Sequence, residues 1–398
     1  MSDGILVIGG GFAGFWAAVA ARRVAGDRAA VTLVSREPVL QMRPRLYEAR
    51  PETLGVELPP LLEAAGVRFV PGEATGLDLA GRTVALRSGT RLGYDRLVVA
   101  TGSRMRRPSV PGAETAYDID TQAEAVMLDR RLREIALTDR APAIAVVGAG
   151  FTGIEMALEL RDRLAEHGGT AAGERARIVL LDRAGVVGPE LGAGPRPQIE
   201  AALAEARVEL RLAVEVTGLA ADRVDLADGQ SIAADAVVVT TGMVAAPFVA
   251  EVPGERDGLG RLLVDRTLQA PAAAGVFVAG DSAAADTGDG HRALQSCQHA
   301  LQTGRFAGEN AARDLLDRPL TPYSQPRYVT CLDLGRSGAV RTQGWDREVA
   351  QAGAAGKGGQ GFTNRALIYP PAGASGALLL RLSSTDPAEQ RPPAAAAD

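Results

Sequence analysis

The chain has 398 residues, more than the roughly 100–200 of a single domain, so two or three domains are expected. It is 46% hydrophobic and 23% charged with a formal net charge of −5, which suits a globular protein and speaks against a nucleic-acid partner. Two cysteines without CxxC spacing (Cys297 and Cys331) are too few for a disulfide framework, and no apolar run reaches the ~18–20 residues that span a bilayer.

The first element is "ILVIGGGFAG" (5–14), an apolar strand running into a glycine turn and then an alanine-rich helix. Gly9, Gly11 and Gly14 make G-x-G-x-x-G, with Phe12 and Ala13 inside it. The first glycine allows the tight turn, the second lets the backbone approach a pyrophosphate, and the third lets helix and strand pack closely. The helix N-terminus then offers free N–H groups and a positive dipole end to the anion. The chain enters this strand by residue 5, leaving no room ahead of it for a signal peptide, so a cytoplasmic location is expected. The next strand ends "VTLVSRE", placing Ser35 and Arg36 where such folds usually carry a ribose-binding acid. A third strand, "YDRLVVATGS" (94–103), ends at Thr101 and Gly102.

A boundary is expected at "RRPSVPGAE" (106–114), rich in proline. All but one of the 43 basic residues are arginine, Lys357 being the exception. Against that background, "RMRR" (104–107) and "DRRLRE" (129–134) read as solvated faces. The cradle pattern then repeats in "AIAVVGAGFTGIE" (143–155), with Gly148, Gly150 and Gly153 as the motif glycines, Phe151 and Thr152 between them, and Glu155 after the last. Its second strand, "RIVLLD", ends at Asp182, an acid suited to ribose hydroxyls and hostile to a 2′-phosphate. Its third, "DAVVVTTGM" (235–243), ends at Thr241 and Gly242.

The chain should return to the first domain near "VAAPFVAEVPGERD" (244–257) and add one more strand in "GVFVAGDSAAAD" (275–286), ending at Gly280 and Asp281. In "CQHALQ" (297–302), Gln298 and Gln302 fall four apart and share one helical face, which Gln295 is expected to join. Residues 321–349 alternate in the manner of antiparallel strands. From about 350 glycine, alanine and proline dominate, no apolar-plus-basic surface helix is expected, and the last dozen residues read as disordered. His167, His291 and His299 lack metal-ligand spacing, so no metal site is expected.

The motifs "GGGFAG", "ATGS", "GAGFTGIE", "TTGM" and "VFVAGDSA", in that order, resemble the FAD-dependent pyridine nucleotide reductases with two dinucleotide-binding domains. Among them the chain most resembles the type II NADH:quinone oxidoreductases, at "QMRPRLYEA" (41–49, including Arg43) and at "CQHALQTG" (297–304). The resemblance implies an α/β fold with two Rossmann-like domains. An FAD domain (1–112 and 246–320) would hold an inserted NAD domain (113–245), and an α+β interface domain (321–398) would follow. It implies FAD in the first cradle, with Asp281 near the ribityl chain, and NADH in the second. It places Glu155 near nicotinamide and flavin, as a polar contact and proton relay. The Gln298/Gln302 face would lie where a quinone-like acceptor docks.

The implied reaction is hydride transfer from NADH to FAD, then two electrons to the acceptor. Membrane association is not expected, and a homodimer stays open. Alternatives are a ferredoxin-reductase-like enzyme, a biosynthetic tailoring oxidoreductase and a flavin-bearing NADH sensor. No Cys-x4-Cys follows the first cradle, which removes the thiol route that disulfide reductases of this fold use.

Overall fold

The computed structural model describes residues 4–371 and 373–390. Ile5–Ile8 (β1) is buried at all four positions, as a parallel strand covered on both faces requires. It leads through the glycine turn into α1 (Phe12–Ala25) and on to β2 (Val31–Ser35), β3 (Arg68–Pro71) and β4 (Arg96–Val99). Next comes α2 (Gln122–Ala136), N-capped by the Thr121 side chain, which accepts from Glu124 N. The second cradle follows as β5 (Ala143–Val147), α3 (Phe151–Gly168), β6 (Arg177–Leu181), β7 (Val208–Arg211) and β8 (Ala236–Val239).

The chain then returns to the first sheet with β9 (Val276–Val278) and the long α4 (Cys297–Leu315). The first sheet is wholly parallel in the order β9-β4-β1-β2-β3, the second wholly parallel in the order β7-β6-β5-β8. Each copy also carries a three-stranded antiparallel meander (74–93 and 216–233), with a register shift beside Gly76 in one and Gly218 in the other. The two passages between the halves pair as a short antiparallel ribbon, Ser103–Met105 with Met243–Ala245. The chain is therefore α/β with two Rossmann-like units.

The third part is the antiparallel sheet β10 (Val329–Asp333), β11 (Ala339–Gln343) and β12 (Glu348–Gln351), followed by α5 (Gly353–Phe362) and α6 (Gly376–Leu382). The glycine-rich stretch after 350 thus holds a helix that its composition does not favour. The reason is tertiary: a Cβ on Gly356 would stand 2.1 Å from Ala339 O, so glycine lets α5 lie directly on β11. Exposed Phe362 and Leu367 form an apolar edge there that composition had hidden. At the tail, residues 387–390 form a turn, and Gln302 Nε2 donates to Gln390 Oε1 at 3.0 Å. The rest of the segment expected to be disordered, 391–398, lies outside the described residues. Among the described residues no helix is long and apolar enough to cross a membrane.

A second correction concerns "DRRLRE". Asp129 is buried, not solvated, and accepts from Arg163 Nη2 at 2.8 Å; Arg163 itself is fully buried. A buried guanidinium needs such a partner, because leaving it unpaired costs several kcal/mol.

The first cradle is held by the crossing of α1 and α4. A Cβ on Gly304 would stand 2.3 Å from Ala13 O, and one on Gly308 1.9 Å from Ala17 O, so the two helices meet backbone to backbone. Arg305, between them, lies over the Trp16 ring at 4.5 Å and donates from Nε to Leu382 O at 3.0 Å, tying α6 to the crossing. Gly308→Ala therefore overpacks this contact. It should cost about 1–3 kcal/mol and lower the thermal midpoint of the purified protein.

Candidate functional site

Both glycine turns are built by close approach. Gly9 (φ +115°) and Gly148 (φ +113°) adopt a backbone conformation that favours glycine, and a Cβ there would stand 2.2 Å from Ala100 O and 2.6 Å from Thr240 O respectively. A Cβ on Gly14 would lie 1.7 Å from Gly9 O, and one on Gly153 1.8 Å from Gly148 O. Each helix start is thereby pressed against its own strand, aiming its free N–H groups along the sheet's carboxyl edge. A Cβ on Gly11 would meet open space, which fits a ligand backbone passing over the first turn. Phe12 and Ala13 are buried beneath that turn. The Ser35 side chain faces Gly10, while Arg36 is exposed.

The far wall of the first cradle gathers Arg43, Thr101, Gly102, Gly280 and Asp281. Ser103 Oγ donates to Asp281 Oδ2 at 2.6 Å, and burial pushes the Asp281 carboxyl above its ordinary range. Arg43 donates from Nε to Asp120 O at 3.0 Å and also pairs with the Asp120 carboxylate. Thr101 Oγ1 lies 3.2 Å from Ser282 Oγ, and Gly280 N donates to Thr303 Oγ1 at 2.9 Å. These bonds fix a polar rim around the open turn.

In the second cradle Asp182 points at the turn itself: Ala149 N donates to its Oδ2 at 2.6 Å and Ala184 N to its Oδ1 at 2.8 Å. Thr241 Oγ1 donates to Arg106 O at 2.5 Å and Gly242 takes φ +92°. Phe151 is half-buried and Thr152 exposed at the helix start. A residue that sequence reasoning missed, Glu190, accepts at Oε1 from Phe151 N at 2.7 Å.

Glu155 is buried and receives Asp333 N on Oε1 at 2.9 Å. Burial drives its pKa well above the carboxylate norm. The Asp333 carboxylate collects Tyr47 OH (3.0 Å), Gln360 Nε2 (3.2 Å) and Lys357 Nζ (2.5 and 2.6 Å). Tyr47, Asp333, Lys357 and Gln360 were not among the expected residues. Two sequence signals point toward them: Tyr47 lies in the 41–49 stretch that carries the resemblance, and Lys357 is the chain's sole lysine.

The glutamine face differs from expectation. Ser296 caps α4, so Gln295 stands before the helix, not on it. Gln298 spends its amide on the strand segment opposite: Nε2 donates to Arg327 O at 3.1 Å and Oε1 accepts from Val329 N at 3.4 Å. Beside it runs a ladder of stacked rings, with His291 on Trp345 (4.4 Å), Trp345 on Tyr328 (4.8 Å) and Tyr328 on His299 (5.2 Å). His167 is remote from this ladder and pairs with Asp129 at 3.2 Å. No group of metal-ligating residues occurs among the described residues. Burial pushes the Cys297 thiol up to about 12 and raises Cys331 too, which leaves both weak nucleophiles.

Residues 3–304 match the family model described as pyridine nucleotide-disulphide oxidoreductase. The chain is 42% identical over 386 residues to an NADH dehydrogenase-like protein of Mycobacterium tuberculosis, covering 94% of this chain and 96% of the relative. It is 28% identical over 353 residues to the demethylphylloquinone reductase of Synechocystis sp., covering 84% and 85% respectively. Among solved structures, the sulfide:quinone oxidoreductase of Aquifex aeolicus superposes with a TM-score of 0.75 at 18% identity, over 97% of this chain and 93% of that one. That level of identity speaks for the fold alone.

One turn along α3 from Glu155, Glu159 has its pKa pushed up to about 7 by burial, with the negative charges of Asp333 and Asp162 adding to it. A carboxyl raised in the folded state stabilises the fold fully below its unfolded value near 4.5, and that contribution is lost as pH rises through 7. Replacing Glu159 by Gln removes the dependence. Between pH 5 and pH 8 the stability of Glu159→Gln relative to wild type should move in the variant's favour by about 2–3 kcal/mol, read from thermal or denaturant unfolding at each pH.

Proposed function

The chain belongs to the pyridine nucleotide-disulphide oxidoreductase family and is an NAD(P)H oxidoreductase; we propose that it passes two electrons from NADH through FAD to a quinone. The observation that carries this reading is the doubled cradle, two glycine turns of the same geometry in one chain. One carrier can stay resident while the other exchanges. FAD fits the first cradle, over open Gly11 and beside Asp281 and Arg43, with Gly9, Gly14, Ser35, Thr101, Gly102 and Gly280 around it. NADH fits the second, at Gly148, Gly150, Gly153, Thr241 and Gly242. There the Asp182 carboxylate, held against the turn, repels a 2′-phosphate and so favours NADH over NADPH. The flavin, when bound, supplies the chemistry that links a hydride donor to a quinone.

The residues of this chain supply position and a proton. Reducing a quinone with NADH consumes one proton from solvent for each quinol formed. Glu155, whose pKa burial raises, is the group we infer to give it up. The Lys357–Asp333 pair, with the lysine side chain 43% exposed, adjoins Glu155 through the Asp333 amide and marks the side from which we infer that the proton returns. Gln298 serves here as a positioning residue that fastens α4 to β10, and Gln302 lines the same face. A quinone of the naphthoquinone class is favoured, since the Synechocystis relative is by name a demethylphylloquinone reductase.

Asp281→Ala should yield protein that loses its FAD on gel filtration. Under anaerobic conditions NADH should bleach the flavin of the wild type, and a soluble naphthoquinone should restore the colour. Glu155→Gln should keep NADH bleaching but slow quinone turnover by about 10²-fold or more. Bleaching by NADPH and not by NADH would overturn the donor assignment. Reoxidation by a ferredoxin alone would overturn the acceptor.

A further inference from the structure

We propose that Glu190 is an internal competitor for the dinucleotide pyrophosphate, a carboxylate that takes the amino end of α3 and that NADH must displace. The proposal rests on the reading of the second cradle as the NADH site. Phe151 opens an 18-residue helix whose N-cap, Gly150, offers no side-chain cap. The first N–H groups of a helix have no partner within it. Here Phe151 N donates to Glu190 Oε1 at 2.7 Å. The same oxygen lies 2.7 Å from where a Cβ on Gly150 would stand, so the carboxylate crosses the glycine face that a pyrophosphate approaches. Two anions cannot share one set of N–H groups and one helix dipole.

The first cradle supplies the internal comparison. Its helix also starts after an uncapped glycine, Gly11, yet a Cβ there meets open space. The strand, turn and helix are alike, so the difference is not topological. The cradle assigned to the resident cofactor is open, and the one assigned to the exchanging cofactor carries its own anion. A competitor that returns as the product leaves lowers affinity and speeds release.

The Glu190 side chain stands on an anchored turn and can swing away from the helix end by rotation alone. Glu190 is exposed, and Gly188, at φ +55°, joins its short turn to Ala149 O through a 2.8 Å bond. Glu190 also lines a cleft of ≈ 550 Å³ shared with Arg292 and Arg347, where a displaced carboxylate meets two guanidinium groups. Arg347 Nη2 already donates to Glu190 O at 3.4 Å, and its guanidinium lies 4.4 Å from the Tyr328 ring. Loop position is thereby tied to the C-terminal sheet.

The test uses FAD-loaded protein and ADP-ribose, which has the pyrophosphate and adenosine of NADH but no nicotinamide to react. Calorimetric titration should show Glu190→Ala binding ADP-ribose roughly three- to tenfold more tightly than wild type, with slower dissociation. Glu190→Gln, which keeps the shape and loses the charge, should fall between them and controls for loop collapse. Equal or weaker binding by both variants overturns the proposal, since Glu190 would then be neutral or a ligand contact. NADH bleaching of the same proteins separates the two readings. Intact bleaching with unchanged affinity sinks the competitor alone, and no bleaching in any of them sinks the NADH assignment.

Discussion

The site depends on a contact that glycine alone permits: the carbonyl of the turn's first glycine pressed against the last. At 1.7 Å in one copy and 1.8 Å in the other, a side chain at Gly14 or Gly153 would stand inside that oxygen. The constraint brings each helix N-terminus to the carboxyl edge of its sheet, and everything recognised there inherits that aim. The α1–α4 crossing repeats the device. Gly304 and Gly308 let α4 lie on the backbone of α1, so the helix that carries Gln298 and Gln302 is positioned by the first cradle rather than by its own surface.

Electrostatics then join the three parts of the chain at Asp333. Its amide holds Glu155 of the second cradle, and its carboxylate holds Tyr47 of the first unit and Lys357 and Gln360 of α5. With Gly335 N also donating to it at 2.9 Å, the buried carboxylate has one ammonium and three neutral donors and is well satisfied, and removal of a side-chain member would leave a desolvated group short of a partner. The arrangement also bears on Glu155, whose pKa is raised first by burial and further by the neighbouring Asp333 carboxylate, while Lys357 opposes that rise.

Strand, turn and helix were legible in the sequence because their rules are local: glycine spacing, apolar runs and an acid at a strand end all act within some 35 residues. The Asp333 cluster was not, since Tyr47 lies 286 residues from Asp333 and 313 from Gln360. Nothing but folding brings those positions together. The lone lysine was visible, but its partner was not. Helix α5 was hidden for another reason. Its glycines argue against a helix on propensity, and the close fit of Gly356 against Ala339 O overrides that preference. Asp129 was misread because a charge run gives no hint that one member faces a buried arginine.

The duplicated unit also presents one backbone template in two versions, one open and one carrying its own anion. Strand order, turn glycines and an uncapped helix start are shared between the copies, so affinity cannot be set by them alone. What differs is the chain beyond the second strand. In the first copy it leaves the turn uncovered at Gly11, and in the second it returns with Pro189–Leu191 and lays a carboxylate on the helix end. The Asp182 carboxylate is likewise folded back onto Ala149 and Ala184. Backbone donors that a resident ligand would hold permanently are here satisfied by the protein itself. A ligand entering the second copy exchanges hydrogen bonds instead of making new ones, and its binding is weakened by that difference.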